Sequence, residues 1–382
     1  MSTASIPLTT GTRSPRTHAP AGAGLRGTLP HPRRLIEFGP HEGAHRVALR
    51  AGIAMAVPLG LLFAAGRLDL SLYAVFGAFT VLYGRSHSHV PRLRMQATAA
   101  VALVAAVVAG TAICTLPGRE WIVVPAVAVV AVGTTFLSDA LAWHPPGSLF
   151  FVFALAACAS VPATAAAIPL ALVLASASAA FGMLVSVVGL ARPAARRVAP
   201  TSWRVSFAEA AARLGSGLGR RMLLVGVAVL VAGIVPTVSG LGHPYWAMVA
   251  AVAALGAADT AGHLLRAGHR VLGTVLGVAL AAVLLAVAGG APVLLVALVV
   301  LLQMAAELFV LRNYGLTVVF VTPLALIMAQ LAHPVDEWGM LRDRTVETLL
   351  GAAVAVAASL AATALAARRR RVTTELRPTC GS

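Results

Sequence analysis

Long apolar runs of about 20 residues alternate with short polar breaks along most of the chain. Windows such as 96–116, 167–190, 291–311 and 345–367 contain few or no charged residues. A helix of about 20 apolar residues spans a hydrocarbon core of ~30 Å. The pattern therefore predicts an all-α polytopic membrane protein.

Charged, proline-rich and glycine-rich breaks divide this pattern into about twelve candidate transmembrane helices. Their predicted ranges are 48–65, 70–84, 96–116, 121–141, 148–163, 167–190, 221–238, 244–258, 270–289, 291–311, 315–332 and 345–367. The second and the eighth hold only about 15 residues each, or roughly 22 Å of helix. Short segments in corresponding places are typical of transport sites. Helices that extend into their flanks, or a locally thinner bilayer, are the alternative.

The two sets of six candidate helices follow the same order of long, short and proline-marked segments, which predicts two parallel six-helix repeats. The expected organisation is a disordered basic cytoplasmic tail at 1–45, a first repeat at 46–190, a basic cytoplasmic linker at 191–220, a second repeat at 221–367 and a basic cytoplasmic tail at 368–382. The linker is expected to form an amphipathic helix on the cytoplasmic leaflet or an unstructured connector.

Composition excludes a soluble globular protein, because 59% of the residues are hydrophobic, 11% are charged and the mean hydropathy is +0.88. The net charge of +16 comes entirely from arginine, since the chain has no lysine. If the N-terminus is cytoplasmic, all arginines fall on the cytoplasmic side except Arg67, Arg119, Arg342 and Arg344. Such a bias indicates membrane topology rather than nucleic-acid binding. We expect a multi-pass cell-membrane protein with both termini in the cytoplasm and the lipid bilayer as its surroundings.

No catalytic or metal-binding pattern is present in the sequence. HExxH, GxSxG and Walker motifs are missing, and Cys114, Cys158 and Cys380 have no CxxC spacing. We therefore predict no enzyme activity, no cofactor and no metal site.

Glu307 is the most informative single residue, because acidic side chains are rare and costly inside a membrane. It lies four residues after Gln303 and five before Arg312. A carboxylate whose partners change on protonation would couple transport to protons. A structural ion pair, or a position near the cytoplasmic end of the helix, is the alternative.

A polar stripe precedes the ninth predicted helix. If 259–277 is helical, Asp259, His263, Arg266 and Arg270 share one face. We expect the two arginines and His263 to attract an anionic substrate and Asp259 to be a second proton-coupling candidate. Interfacial anchoring by arginine and close helix packing through GxxxG are the alternative.

Three motifs in the second half carry a family resemblance. They are YWAMVAAVAALGAADTAGHLLRAGHRVLGTVLG, LFVLRNYGLTVVFVTPLALIM and RDRTVETLLGAAVA, in this order. This half resembles the membrane module of the fusaric acid resistance family, within the aromatic acid exporter superfamily. Residues 46–190 look like a degenerate copy, with LYAVFGAFTVLYG and PPGSLFFVFALA in place of the first two motifs. By motif position, the family marks fall on Tyr245, Trp246, Arg270, Arg312, Asn313, Tyr314, Arg344 and Thr348.

The resemblance implies a transporter that exports aromatic carboxylic acids or related organic anions, driven by the proton gradient. From it we take Tyr245, Trp246, Arg312, Asn313 and Tyr314 as further substrate-binding candidates, although an aromatic belt at the membrane surface also explains the first two. A passive organic-anion channel and a non-transporting membrane scaffold are the alternatives. A homo-oligomer or an accessory subunit stays open.

Overall fold

The chain folds as an all-helical bundle. The computed structural model describes residues 32–40, 43–85, 87–188, 205–242 and 244–375, with side chains up to 369. Within these ranges there is no strand, and nine helices are long and apolar enough to cross a membrane. The chain is therefore a multi-pass membrane protein.

Thirteen α-helices are formed by the described residues. They are α1 Ala44–Ala64, α2 Ser71–Ala78, α3 His89–Cys114, α4 Arg119–Ala140, α5 Leu149–Ser160, α6 Ala167–Val188, α7 Phe207–Ala212, α8 Gly217–Val238, α9 Tyr245–Ala254, α10 Thr260–Ala288, α11 Pro292–Phe309, α12 Tyr314–Ala332 and α13 Glu337–Glu375. Short 3₁₀ turns lie at Pro32–Leu35, Leu68–Leu70 and Phe79–Leu82. Each of the twelve predicted segments overlaps a helix in this set.

Three helices begin well before their predicted positions, and the first of them, α3, starts at His89 instead of 96. α10 starts at Thr260 because the carboxylate of Asp259 accepts a hydrogen bond of 2.8 Å from the amide of Gly262 and caps the helix. α13 starts at Glu337, so Arg342 and Arg344 lie inside its first turns instead of in a preceding loop. The predicted start of this helix at 345 was therefore too late.

Three apolar helical segments are too short to span a bilayer alone. They are Leu68–Leu82, Leu149–Ser160 and Tyr245–Ala254. The first and third were predicted to be short, whereas the second was expected at 148–163 and is shorter than that. A ten-residue helix such as α9 is only about 15 Å long.

Small residues allow the closest helix contacts. A Cβ added to Gly273 of α10 would lie 2.5 Å from the carbonyl oxygen of Gly315 in α12. Gly351 of α13 lies against the backbone of Ala247 in α9, and Gly77 of α2 lies against that of Ala175 in α6. These contacts hold the short helices against the long ones.

Helices from the first and second parts of the chain also pack against each other. α1 packs on α11, and α4 packs on α8. Gly52 of α1 contacts the side chain of Met304 in α11, and Gly226 of α8 contacts Val132 in α4. Residues 44–188 and 217–375 are thus interlocked.

The predicted tails and linker lie only partly within the described residues. Residues 1–31 of the expected tail, residues 189–204 around the linker and residues 376–382 of the C-terminal tail are outside the described ranges. The described end of the linker contains α7, which is tied to the end of α4 by an ion pair of 2.7 Å between Arg213 and Asp139.

Candidate functional site

A central cavity of about 100 Å³ lies among the short helices and the second part of the chain. Its lining residues are Phe79, Leu82, Leu149, Phe150, Phe153, Trp246, Val249, Arg270, Gln303, Ala306, Glu307, Val310, Tyr314, Thr317, Val318, Val321, Leu324 and Arg344. All three short helical segments contribute to this wall. Most of the lining is apolar and aromatic, and its charged side chains are Arg270, Glu307 and Arg344.

Two buried arginines give the cavity its positive charge. Arg344 is 1% exposed and Arg270 is 3% exposed. The charges of the two arginines repel each other, and the buried carboxylate of Glu347 is close enough to Arg344 to attract it. Among the described residues, the Nε atom of Arg270 and the Nε and Nη1 atoms of Arg344 have no hydrogen-bond partner. Buried polar groups are normally paired, so these N–H groups are exceptions.

Trp246 packs directly against one of these arginines. The guanidinium carbon of Arg344 lies 4.0 Å from the centre of the Trp246 ring. Tyr245 lies beside it, with 4.3 Å between the ring centres. The indole Nε1 of Trp246 is buried and has no hydrogen-bond partner within the described part of the chain. The tryptophan is therefore held by packing and by a cation–π contact.

Glu307 is part of a buried ion pair. Its Oε2 atom accepts a hydrogen bond of 2.6 Å from Nη2 of Arg85, and its Oε1 atom accepts one of 3.2 Å from the amide of Gln303. The side chains of Arg85 and Glu307 are 13% and 6% exposed. Arg85 follows the Phe79–Leu82 turn, 222 residues from Glu307 in sequence. The carboxylate thus joins the first part of the chain to α11.

The segment 32–40 lies across the turn between α11 and α12. The side-chain amide of Asn313 donates hydrogen bonds to the carbonyl oxygens of Leu35 and Glu37, at 3.0 and 3.1 Å. The amide of Gly39 donates to the carbonyl oxygen of Arg312 at 2.8 Å. The side chain of Asn313 also caps α12 by accepting from the amide of Leu316. Asn313 and Arg312 therefore hold the segment before α1.

Some of the predicted substrate-binding residues lie at the two cavities, and the others lie away from them. Trp246, Arg270 and Tyr314 line the central cavity. Arg266 contacts it indirectly, with its guanidinium 4.5 Å from the ring centre of Tyr314. Tyr245 lines a smaller neighbouring cavity.

The other predicted residues lie away from the cavity. His263 is hydrogen-bonded to the hydroxyl of Ser359 at 2.8 Å, between α10 and α13. Asp259 is exposed at the start of α10, whereas the other proton-coupling candidate, Glu307, lines the cavity. Arg312 and Asn313 contact the segment 32–40, as described above.

Sequence reasoning did not select Arg85, Gln303 or Arg344 as site residues. Arg344 belongs to one of the quoted motifs, so its place in that motif was the available signal. Arg85 gave no such signal, because its role depends on a partner far away in the sequence. In the described part of the chain, no three His, Cys, Asp or Glu side chains converge as in a metal site.

Comparison with protein families found one similarity, in the second part of the chain. Residues 227–358 match a family described as fusaric acid resistance protein-like. The match covers about a third of the chain. Searches of the curated proteins and of the solved structures found no match.

The matched region, residues 227–358, provides all three charged residues of the cavity wall. It contains Trp246, Arg270, Glu307 and Arg344. The aromatic wall opposite, including Phe79 and Phe150, comes from residues before the region. The described residues include nine helices long and apolar enough to cross a membrane, and together with the family match they support a membrane protein of the transporter type.

Proposed function

We propose that the protein exports organic anions, and that the central cavity binds their carboxylate. The observation that carries this proposal is the pair Arg270 and Arg344, both buried and both with N–H groups that lack a partner. A charge buried inside a membrane protein costs several kcal/mol unless it is compensated, and Glu347 is the buried carboxylate near Arg344. A carboxylate matches the geometry of a guanidinium and would offset that cost.

The cavity wall favours an anion that carries an aromatic ring. The cavity that holds the arginines is also lined by five aromatic residues, Phe79, Phe150, Phe153, Trp246 and Tyr314. A cavity of ~150 Å³ accepts one benzene molecule, and the present volume is about 100 Å³. A ring with one carboxylate therefore needs only a modest widening, and aromatic carboxylic acids are the substrate class that we propose.

Glu307 is our candidate for coupling transport to protons. Protonation would remove the negative charge that Arg85 contacts at 2.6 Å, and the pair would lose most of its attraction. Since Glu307 lines the same cavity as the arginines, this change would alter the charge that the substrate meets. Protons moving inward through Glu307 would then drive the anion outward.

The architecture we propose is two parallel six-helix repeats with both termini in the cytoplasm. The helix contacts support it, because they recur in matched pairs. α1 on α11 corresponds to α8 on α4, α2 on α6 to α9 on α13, and α3 on α5 to α10 on α12. The arginine bias supports the orientation. An axis relating the pairs would pass near the cavity, between α5 and α9.

The test is uptake of radiolabelled 4-hydroxybenzoate into inverted membrane vesicles that are acidified inside. Wild-type protein should accumulate the anion. Arg270→Met and Arg344→Met should each reduce uptake by about tenfold or more, because a charge-assisted hydrogen bond contributes about 1.5–3 kcal/mol. Arg94→Met is the matched control, since Arg94 is exposed and lies outside the cavity.

Glu307→Gln separates an antiporter from a passive channel. In an antiporter it should abolish accumulation driven by the pH gradient but retain exchange of labelled for unlabelled anion. Flux that depends neither on the pH gradient nor on Glu307 would instead indicate a channel. If wild-type protein moves no aromatic anion, the proposed function is wrong and a scaffold role becomes the better account.

A further inference from the structure

A second, smaller cavity lies next to the central one. It has a volume of about 30 Å³ and is lined by Leu72, Val75, Phe76, Phe79, Phe153, Ala157, Val161, Tyr245, Trp246, Leu324, Ala325, Met328 and Ala329. This lining contains no charged side chain. Four residues, Phe79, Phe153, Trp246 and Leu324, line both cavities. Together these four side chains form the partition between the two cavities.

The partition is built from four different elements. Phe79 lies in the 3₁₀ turn after α2, Phe153 in α5, Trp246 in α9 and Leu324 in α12. Phe153 contacts Trp246 with 5.7 Å between ring centres, and Phe76 links Phe153 and Phe79 at 5.1 and 5.6 Å. An anion that moves from the arginines into the second cavity must displace these side chains. A hydrophobic constriction of this kind excludes water and ions while it is closed.

Trp246 connects the partition to the anion site. One face of its ring contacts the Arg344 guanidinium at 4.0 Å, and its Nε1 atom makes no hydrogen bond. A cation–π contact depends on the free positive charge of the arginine. The carboxylate of Glu347 already acts on that charge. A second carboxylate, bound directly to Arg344, neutralises more of it and weakens its hold on the ring.

We propose that the partition is the gate between the two cavities, and that an anion on Arg344 opens it by releasing Trp246. This inference rests on the proposed function and adds the route of the anion and the event that opens the gate. The anion then leaves through the uncharged cavity beside Tyr245 and Met328. In the absence of an anion, the cation–π contact keeps the partition closed, which prevents leak.

The first experiment measures passive leak in proteoliposomes without a pH gradient. Phe153→Ala should increase the downhill efflux of 4-hydroxybenzoate and of chloride by about tenfold, because an open constriction no longer excludes ions. Phe153→Leu keeps most of the side-chain volume, so it disturbs folding less and should give a smaller increase in leak. Phe320→Ala is the control, since Phe320 packs on Phe309 and lines neither cavity.

The second experiment follows Trp246 itself. A variant in which the other tryptophans are replaced by phenylalanine reports this residue alone. Quenching by acrylamide should rise about twofold when cyclohexanecarboxylate, which does not absorb, is added, because the ring loses its cation–π partner. Arg344→Met in the same background should give high quenching with and without the anion.

The outcomes separate the gate from the transport function. If wild-type protein transports the anion but Phe153→Ala leaks no more than Phe320→Ala, the gate is wrong and the function stands. If quenching of Trp246 does not respond to the anion, the trigger on Arg344 is wrong. If wild-type protein transports nothing, the proposed function itself fails.

Discussion

The Arg85–Glu307 pair offers a quantitative test of how the two parts of the chain are held together. The N···O distance is 2.6 Å, and both side chains are largely buried. With the charge centres about 4 Å apart and an effective dielectric constant of about 20, their attraction is about 4 kcal/mol before desolvation is counted. Removing one partner of such a buried pair typically costs about 3–5 kcal/mol, because the other charge stays buried.

A double-mutant cycle measures this coupling directly. We expect Arg85→Met and Glu307→Gln each to destabilise the protein by about 3 kcal/mol, and the double variant by clearly less than the sum, with a coupling of about 2–3 kcal/mol. The assay is denaturant unfolding of the purified full-length protein in detergent at pH 7.5. Because the pair is buried, added salt should change the coupling little.

The exposed pair Arg67–Asp69 is the control for this cycle. Its N···O distance is 2.9 Å, but its side chains are 50% and 52% exposed. Exposed pairs are screened by water and salt, so the same cycle there should show little coupling, and salt should remove it. Equal coupling in the two pairs, or additive effects of Arg85→Met and Glu307→Gln, would refute the argument that burial makes the inner pair strong.

Two further predictions concern packing and the segment before α1. Gly273→Ala should lower the thermal unfolding temperature, because its Cβ would meet the backbone oxygen of Gly315 at 2.5 Å, whereas Gly133→Ala has open space and should be neutral or stabilising. Asn313→Ala removes a helix cap and both contacts with the segment 32–40, so trypsin should cleave after Arg34 faster, while the nearby Leu311→Ala should not change that rate.

Most of the fold is predictable because lipid imposes a simple rule on the sequence. Apolar runs of sufficient length must be helical, and each predicted segment overlaps a helix. The largest errors in the predicted helix starts occur where charged side chains lie inside the protein. Arg344 and the neighbouring acids ended the apolar pattern at 345, although the helix starts at Glu337. A hydropathy pattern treats each charge as if it faced lipid, but these side chains face the bundle interior.

The candidate site was predictable only in part. Arg270 and Glu307 can be recognised in the sequence as charged residues next to or within apolar segments, and Trp246 can be recognised as part of a motif. Their mutual contacts depend on tertiary structure, and so does the contribution of Arg85. The partition between the cavities brings together Phe79 and Leu324, whose separation in sequence hides any relation between them.

The interlocking of α1 with α11 and of α4 with α8 limits how this protein can move. A rocking motion of residues 44–188 against 217–375 as rigid blocks would tear each of these long helices from its neighbour. Conformational cycling is therefore expected to be confined to the short helices, with an immobile outer frame. For the same reason, the two portions produced as separate polypeptides should be recovered only as a complex, since each would expose an orphaned helix face without the other.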